Sequence, residues 1–255
     1  MERVNLFFLH GFLGRPSDWE VVKSSLPPHE RLKVYAPDYF RDQNLNPRHS
    51  FEEWAANFNR WVQLETSGEG RNILVGYSLG GRLALQALAH KPALWYKSLF
   101  ISTNPGFNDN LSTFDPTSED RRVRWMNDSY WAEEFLTAPW DMVMRNWNAQ
   151  PVFGGGTTEP TRLEKEYLRE FLSLALTQWS LAQQRDMRPL VRDLATKITW
   201  IAGEKDEKFV DLSKALKENV GNMAMEVIPE ASHRVLFDRP RDVAEKIRMI
   251  IQPLL

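Results

Sequence analysis

The chain contains no cysteine. That absence excludes disulfides, thiolate metal sites and cysteine nucleophiles, and it is the composition expected in a reducing compartment. A charge of one sign is also missing. Thirty-two lysine and arginine side chains stand against 34 aspartates and glutamates, so no overall field points to nucleic acid or to a membrane surface. Long hydrophobic runs are absent too. The largely apolar stretch Val4-Asn5-Leu6-Phe7-Phe8-Leu9 is far too short to span a bilayer, and it has neither a basic flank nor a small-residue cleavage site. These absences lead to the expectation of a cytoplasmic protein with no nucleic-acid partner and no membrane insertion.

What is present is an alternation. Short aliphatic or β-branched runs at Val4–Leu9, Leu32–Ala36, Asn72–Gly76, Ser98–Ser102, Ile198–Gly203 and Ala224–Ile228 read as strands. Helical patterns fall between them near Asp18–Ser25, Phe51–Glu65, Leu79–Ala89, Val210–Val220 and Pro240–Ile251, the last with Val243, Ile247, Ile250 and Ile251 at a period close to that of a helix. Alternating βα units imply an α/β fold, a mostly parallel central sheet with helices on both faces. One interval breaks the rhythm. From 109 to 194 no convincing strand is found, but helical segments are, including Leu163–Leu176, together with five of the ten tryptophans (Trp125, Trp131, Trp140, Trp147 and Trp179). The expected organisation is therefore a core of residues 1–108 and 195–255 with an all-helical cap inserted at 109–194, over the sheet edge where ligands bind. Gly154–Thr158 reads as a flexible connection within that cap.

Gly76-Tyr77-Ser78-Leu79-Gly80 follows the apolar run Ile73-Leu74-Val75 and leads into a helical pattern. Strand, glycine-flanked serine and helix make the layout of a nucleophile elbow, in which a tight turn lifts one hydroxyl clear of the sheet beside the N–H groups of a helix start. The pentapeptide alone arises by chance in roughly one chain of this length in ten, so its setting carries the argument. A serine hydroxyl needs a histidine to take its proton and usually a carboxylate to orient that histidine, in the chain order Ser, acid, His. His233 sits just after the last strand pattern, whereas His90 lies at the far end of the elbow helix. Asp206 follows the strand ending at Gly203; Glu204, Glu207 and, less suitably, Asp238 are its competitors. An oxyanion hole takes one N–H from the residue after the serine, Leu79, and one from the loop after an early strand, where His10-Gly11-Phe12-Leu13-Gly14 offers Phe12.

These residues carry a resemblance. Leu9–Gly14, Val75–Arg82, Gly203–Phe209 and Ser232-His233, with the cap segments Phe135–Pro139 and Trp147–Phe153, resemble the 2-succinyl-6-hydroxy-2,4-cyclohexadiene-1-carboxylate (SHCHC) synthase family. Its members are α/β-hydrolase-fold enzymes of menaquinone (vitamin K2) biosynthesis, and the likeness covers nearly the whole chain. It implies a carbon–oxygen lyase. The substrate would be 2-succinyl-5-enolpyruvyl-6-hydroxy-3-cyclohexene-1-carboxylate, from which loss of a ring proton drives elimination of pyruvate. Ser78 would act as a base activated by His233 and Asp206, with no metal or organic cofactor. A serine hydrolase of a small carboxylate-bearing ester, thioester or C–C bond substrate is the alternative on the same scaffold. A monomer or weak homo-oligomer is expected.

A substrate with three carboxylates calls for cations, and arginine suits them because its planar fork can bind both oxygens. Arg82 lies four residues beyond Ser78, on the same face of the elbow helix. By motif position Arg82, Arg124 and Arg169 correspond to the family's substrate-binding arginines, with Arg162 a rival for the last, and Tyr77, Trp147 and Phe153 to its pocket aromatics; Trp147 fits cap packing equally well. One segment departs from the family. Ala36-Pro37-Asp38-Tyr39-Phe40-Arg41-Asp42-Gln43 replaces a Pro-Gly-His-Gly-like turn after the second strand, which implies a differently shaped pocket wall there.

Overall fold

The computed structural model describes residues 2–109, 111, 115–154 and 158–255. Strands β1 (Val4–Leu9), β2 (Leu32–Tyr35), β3 (Arg71–Tyr77), β4 (Trp95–Ile101), β5 (Ile198–Gly203) and β6 (Ala224–Ile228) form one sheet in the order β2-β1-β3-β4-β5-β6. Every neighbouring pair is parallel. Such a sheet is covered on both faces, so its strands read as continuous apolar runs with their side chains divided by the two-residue period. In β1, Phe7 and Leu9 join the core on one face, while Val4, Leu6 and Phe8 join the core on the other.

The helices of the core follow from local chemistry. A short α1 (Glu20–Ser24) precedes α2 (Phe51–Thr66). At the start of α2 the Ser50 hydroxyl accepts from the Glu53 N–H at 3.3 Å and the Glu53 carboxylate accepts from the Ser50 N–H at 2.9 Å, a reciprocal cap that satisfies two otherwise orphaned donors. The elbow helix is α3 (Leu79–His90). Between β4 and β5 lie α4 (Glu119–Thr137), α5 (Trp140–Asn148), α6 (Arg169–Gln178) and α7 (Arg188–Asp193), with no strand among the described residues of that interval. The chain then returns to the sheet through α8 (Glu207–Val220), the single turn α9 (Val235–Asp238) and α10 (Pro240–Ile251), which buries Val243, Ala244, Ile247 and Ile251.

Three element starts differ from the sequence reading by three residues or more. β4 begins at Trp95 rather than Ser98, because Tyr96 is an extra residue in the register (Asn72 faces Trp95 but Ile73 faces Lys97) and this irregularity interrupts the apolar run. α8 begins at Glu207, three residues before Val210. The helix expected over Leu163–Leu176 begins only at Arg169, after a single 3-10 turn at Glu164–Glu166. Of the connection expected at Gly154–Thr158, residues 155–157 lie outside the described residues.

The chain reverses direction across the sheet between β1 and β3. An open parallel sheet binds its ligands at such a switch point, off the carboxyl ends of the strands. Phe12 follows β1, Ser78 follows β3, Asp206 follows β5 and His233 follows β6.

Candidate active site

Ser78 sits at φ 52°, ψ −113°, a conformation that side chains other than glycine's rarely adopt. Its N–H donates to the Ile101 carbonyl at 2.9 Å, which ties the turn to β4. The neighbouring glycines are required by close approach. A Cβ at Gly76 would stand 2.6 Å from the Gly80 oxygen and the Gly81 Cα, and one at Gly80 would run into the carbonyls of Leu9 and His10. α3 therefore starts directly behind the serine, and its first N–H groups, Leu79 included, have no carbonyl partner within the helix.

Ser78 Oγ lies 3.2 Å from His233 Nε2, and His233 Nδ1 lies 2.7 Å from Asp206 Oδ2. A carboxylate oxygen accepts, so the imidazole proton belongs on Nδ1 and the bare Nε2 faces the serine as its acceptor. The two loops are joined by backbone bonds: the Glu204 N–H donates to Ile228 at 2.9 Å and the Lys205 N–H to Ala231 at 2.8 Å. Two of the competing acids are committed elsewhere, and the third, Glu207, is an exposed residue at the start of α8 that borders the cavity without taking Asp206's place at His233. The Glu204 carboxylate accepts from the Glu230 N–H, and Asp238 accepts from both the N–H and hydroxyl of Ser232. His90 pairs with the Asn59 amide at the other end of α3. Phe209, Tyr77 and Phe153 surround the catalytic-position imidazole, with ring centroids 4.6, 5.9 and 6.0 Å away.

The loop after β1 passes beside this turn, and Leu13 in it also has a positive φ, 57°. Its carbonyl accepts from the Tyr167 hydroxyl at 2.8 Å. The His10 carbonyl accepts from the Tyr39 hydroxyl, and the Tyr39 ring stacks on the His10 ring at 3.9 Å. The divergent segment 36–43 thus stands behind the loop rather than in the pocket wall. Burial lowers the His10 pKa to about 4, so this imidazole is neutral at pH 7.

A cavity of about 710 Å³ opens onto Ser78 and His233 and extends beneath the cap. Arg82, Arg124, Trp147 and Phe153 line it, as do Phe12 and Leu79. Arg82 donates to the Trp179 carbonyl at 2.8 Å and, at 3.5 Å, to Gln184, but it has no carboxylate partner among the described residues. Burial and the nearby Arg124 charge lower its pKa to about 9. Trp147 also packs, its centroid 4.9 Å from Phe12 and 5.0 Å from Trp131, so it both lines the cavity and holds the cap's aromatic cluster together.

Three of the expected contacts are corrected. Arg169 does not reach the cavity; its guanidinium donates to the carbonyls of Phe135 (2.5 Å) and Ala138 and pairs with Glu164, closing the C-terminal end of α4. Helix ends leave unpaired carbonyls, which attract a basic side chain. Its rival Arg162 is equally engaged, in a two-pronged ion pair with Asp18. Tyr77 does not line this cavity; its side chain packs with the core on the other face of β3 and lines an adjoining small chamber with Arg162 and Arg234. That chamber shares Phe12, Trp147 and Phe153 with the cavity, and burial pushes the Tyr77 pKa well up.

The sequence reading missed several residues of this cavity. Ser102 and Asn104 follow β4, and their place just past a strand's carboxyl end was the available signal. Asp128 lies one helical turn beyond Arg124, the spacing of a helical ion pair. Lys205 and Lys208 line the mouth and flank Asp206. Among the described residues no cluster of three or more histidine, aspartate or glutamate side chains is built to hold a metal ion, and no helix is long and apolar enough to cross a membrane.

Comparison with known proteins adds to this geometry. The alpha/beta hydrolase family matches residues 6–246. A 2-succinyl-6-hydroxy-2,4-cyclohexadiene-1-carboxylate synthase from Enterobacter sp. (strain 638) is 31% identical, over 97% of this chain and 91% of its own length. The synthase of the same name from Klebsiella pneumoniae subsp. pneumoniae is 28% identical, over 96% and 93%. Among solved structures, MenH from S. aureus superposes with a TM-score of 0.81 at 19% identity, covering 98% of this chain and 94% of its own; at that identity the likeness concerns the fold.

Proposed function

We propose, for a chain that belongs to the alpha/beta hydrolase family and within it to the SHCHC synthases, that it eliminates pyruvate from 2-succinyl-5-enolpyruvyl-6-hydroxy-3-cyclohexene-1-carboxylate. One observation carries the reading beyond a generic serine hydrolase. Arg82 is a guanidinium set into the cavity one turn beyond Ser78, with Arg124 close by; among the described residues no carboxylate pairs with it directly, and the nearby Asp128 is already engaged by Arg124. A half-buried cation of this kind is stabilised by an anionic ligand. A tricarboxylate supplies one, and a simple aryl ester does not.

In this reading His233 Nε2 takes the Ser78 proton while Ser78 Oγ removes the proton from the ring carbon that bears the succinyl ketone. The C–H electron pair becomes ring unsaturation as the bond from the ring to the enolpyruvyl oxygen breaks, and the departing enolate is protonated to pyruvate. Negative charge that develops on the succinyl carbonyl is met by the N–H groups of Leu79 and Phe12. Arg82 and Arg124 hold carboxylates, and Trp147 and Phe153 cover the ring and exclude water. Proton removal and loss of an enolate call on no metal or organic cofactor.

The test is pyruvate release from the enolpyruvyl substrate, followed by a coupled lactate dehydrogenase assay, for the wild type and Ser78→Ala. Turnover by the wild type and a loss of at least a hundredfold in the variant are expected. Absence of pyruvate release, with rapid hydrolysis of aryl esters through a trappable acyl-Ser78, would replace the lyase with the hydrolase.

A further inference from the structure

We propose that Tyr167 is a positioning residue: from the cap it holds the loop that carries the oxyanion donor Phe12, so that the hole is complete only when the cap segment 162–167 is seated. The inference rests on the oxyanion role given to Phe12 above. It starts from the loop itself. His10–Gly14 makes a tight turn, closed by the Gly14 N–H on the Gly11 carbonyl at 2.9 Å, and to make it Leu13 takes a φ of 57°. A branched side chain disfavours that conformation, so the loop needs support from its surroundings to keep this shape.

Two tyrosine hydroxyls supply that support. Tyr39, behind the loop, donates to the carbonyl of His10, one residue before the turn. Tyr167 donates at 2.8 Å to the carbonyl of Leu13, in a buried contact that joins residues 154 positions apart. The peptide N–H of Phe12 lies between these two fixed points. Tyr39 belongs to the core and is always present, whereas Tyr167 belongs to the insertion.

The segment that carries Tyr167 is itself clasped to the same stretch of the core. Arg162 makes two 2.8 Å bonds to Asp18, and Arg15 pairs with Glu166. The Trp140 ring stacks on Tyr167 at 5.4 Å and fixes its direction, and Trp147 rests on the Phe12 ring. The Arg162–Asp18, Arg15–Glu166, Tyr167–Leu13 and Trp147–Phe12 ties all run from residues 147–167 to residues 12–18. Cap seating and oxyanion-donor placement are therefore one event, and an enzyme with its cap lifted holds a complete triad but a loosened hole. This arrangement withholds transition-state stabilisation until the substrate is enclosed.

The test is Tyr167→Phe, which keeps the ring and its stacking and removes only the hydroxyl. Hydrogen exchange is measured in the peptide spanning residues 10–15, alongside pyruvate-release kinetics. Exchange in that peptide is expected to quicken at least fivefold while the strands of the sheet are unchanged. kcat is expected to fall at least tenfold with KM within twofold, because the lost interaction serves the transition state and not substrate binding. Unchanged exchange in 10–15 overturns the proposal, as does a rise in KM at constant kcat. Should the wild type release no pyruvate, the lyase reading fails separately, and the exchange measurement alone then decides for or against the clasp.

Discussion

Arg124 Nε lies 2.8 Å from Asp128 Oδ2, one turn further along α4, and the hydroxyl of Ser180 donates to the same oxygen at 2.7 Å. The carboxylate is almost fully buried, whereas the arginine is about one-third exposed, towards the cavity. Asp128 thus acts as a rigid peg that aims the guanidinium. The bond uses Nε, and the two terminal nitrogens have no partner among the described residues. They leave a fork whose geometry suits bidentate pairing with a carboxylate. Arg124→Ala is expected to lower kcat/KM for pyruvate release at least tenfold, a loss of about 1.4 kcal/mol of transition-state stabilisation. Arg124→Lys, which keeps the charge without the fork, should recover only part of it. Steady-state kinetics check both, and unchanged constants would remove Arg124 from the site.

Arg169 provides the contrast. Its guanidinium bonds backbone carbonyls at the end of α4 and the Glu164 carboxylate, and it does not border the cavity. Arg169→Ala should lower stability by about 1–2 kcal/mol, seen as a lower urea midpoint, because it exposes or orphans those carbonyls. Its KM should remain within about twofold of the wild type, since about 0.4 kcal/mol or less of binding is at stake. A tenfold rise in KM with an unchanged urea midpoint would return Arg169 to substrate binding.

The legible and illegible parts of this site differ in kind. Ser78, Asp206 and His233 could be read because each must follow a strand, and because Gly76 and Gly80 occupy positions where a Cβ has no room. Tyr77 was misplaced for lack of one step. Strand residues alternate faces, and Val75 and Tyr77 share the core of the opposite face, so the residue before the serine points away from its hydroxyl. Arg169 failed for another reason. A long side chain reaches several ångströms from its Cα, and motif position does not say which unpaired carbonyls lie within that reach. The cap's contacts with the loop after β1 join residues about 140 or more positions apart, and no local pattern encodes them.

The Arg162–Asp18 pair should contribute strongly to stability in one direction only. Both hydrogen bonds are 2.8 Å and the two side chains are 8% and 9% exposed. Removing one partner leaves the other charged, buried and unpaired, which costs about 3–5 kcal/mol. Arg162→Met should therefore destabilise by about 3 kcal/mol in urea unfolding, whereas Arg162→Met combined with Asp18→Leu should recover much of that loss. A double variant as unstable as the sum of the single variants would mean that the two residues act independently.

The His10 imidazole gives the fold a defined weakness towards acid. Burial lowers its pKa from an ordinary 6.5 to about 4, and its ring is covered by Tyr39 and is only 1% exposed. Between those two values the unfolded chain binds a proton that the folded chain does not, so stability is complete above pH 6.5 and declines as the pH falls towards 4. For a shift of this size the loss reaches about 3 kcal/mol. Because the same ring supports the loop that carries Phe12, activity should fail on that acid limb together with the fold. Two measurements check this. The His10 ring signals in NMR should stay flat from pH 8 to pH 5, and the urea midpoint should fall over that interval. A His10 titration centred near pH 6.5 would mean that the ring is hydrated, and that the stacked Tyr39–His10 pair does not seal the loop.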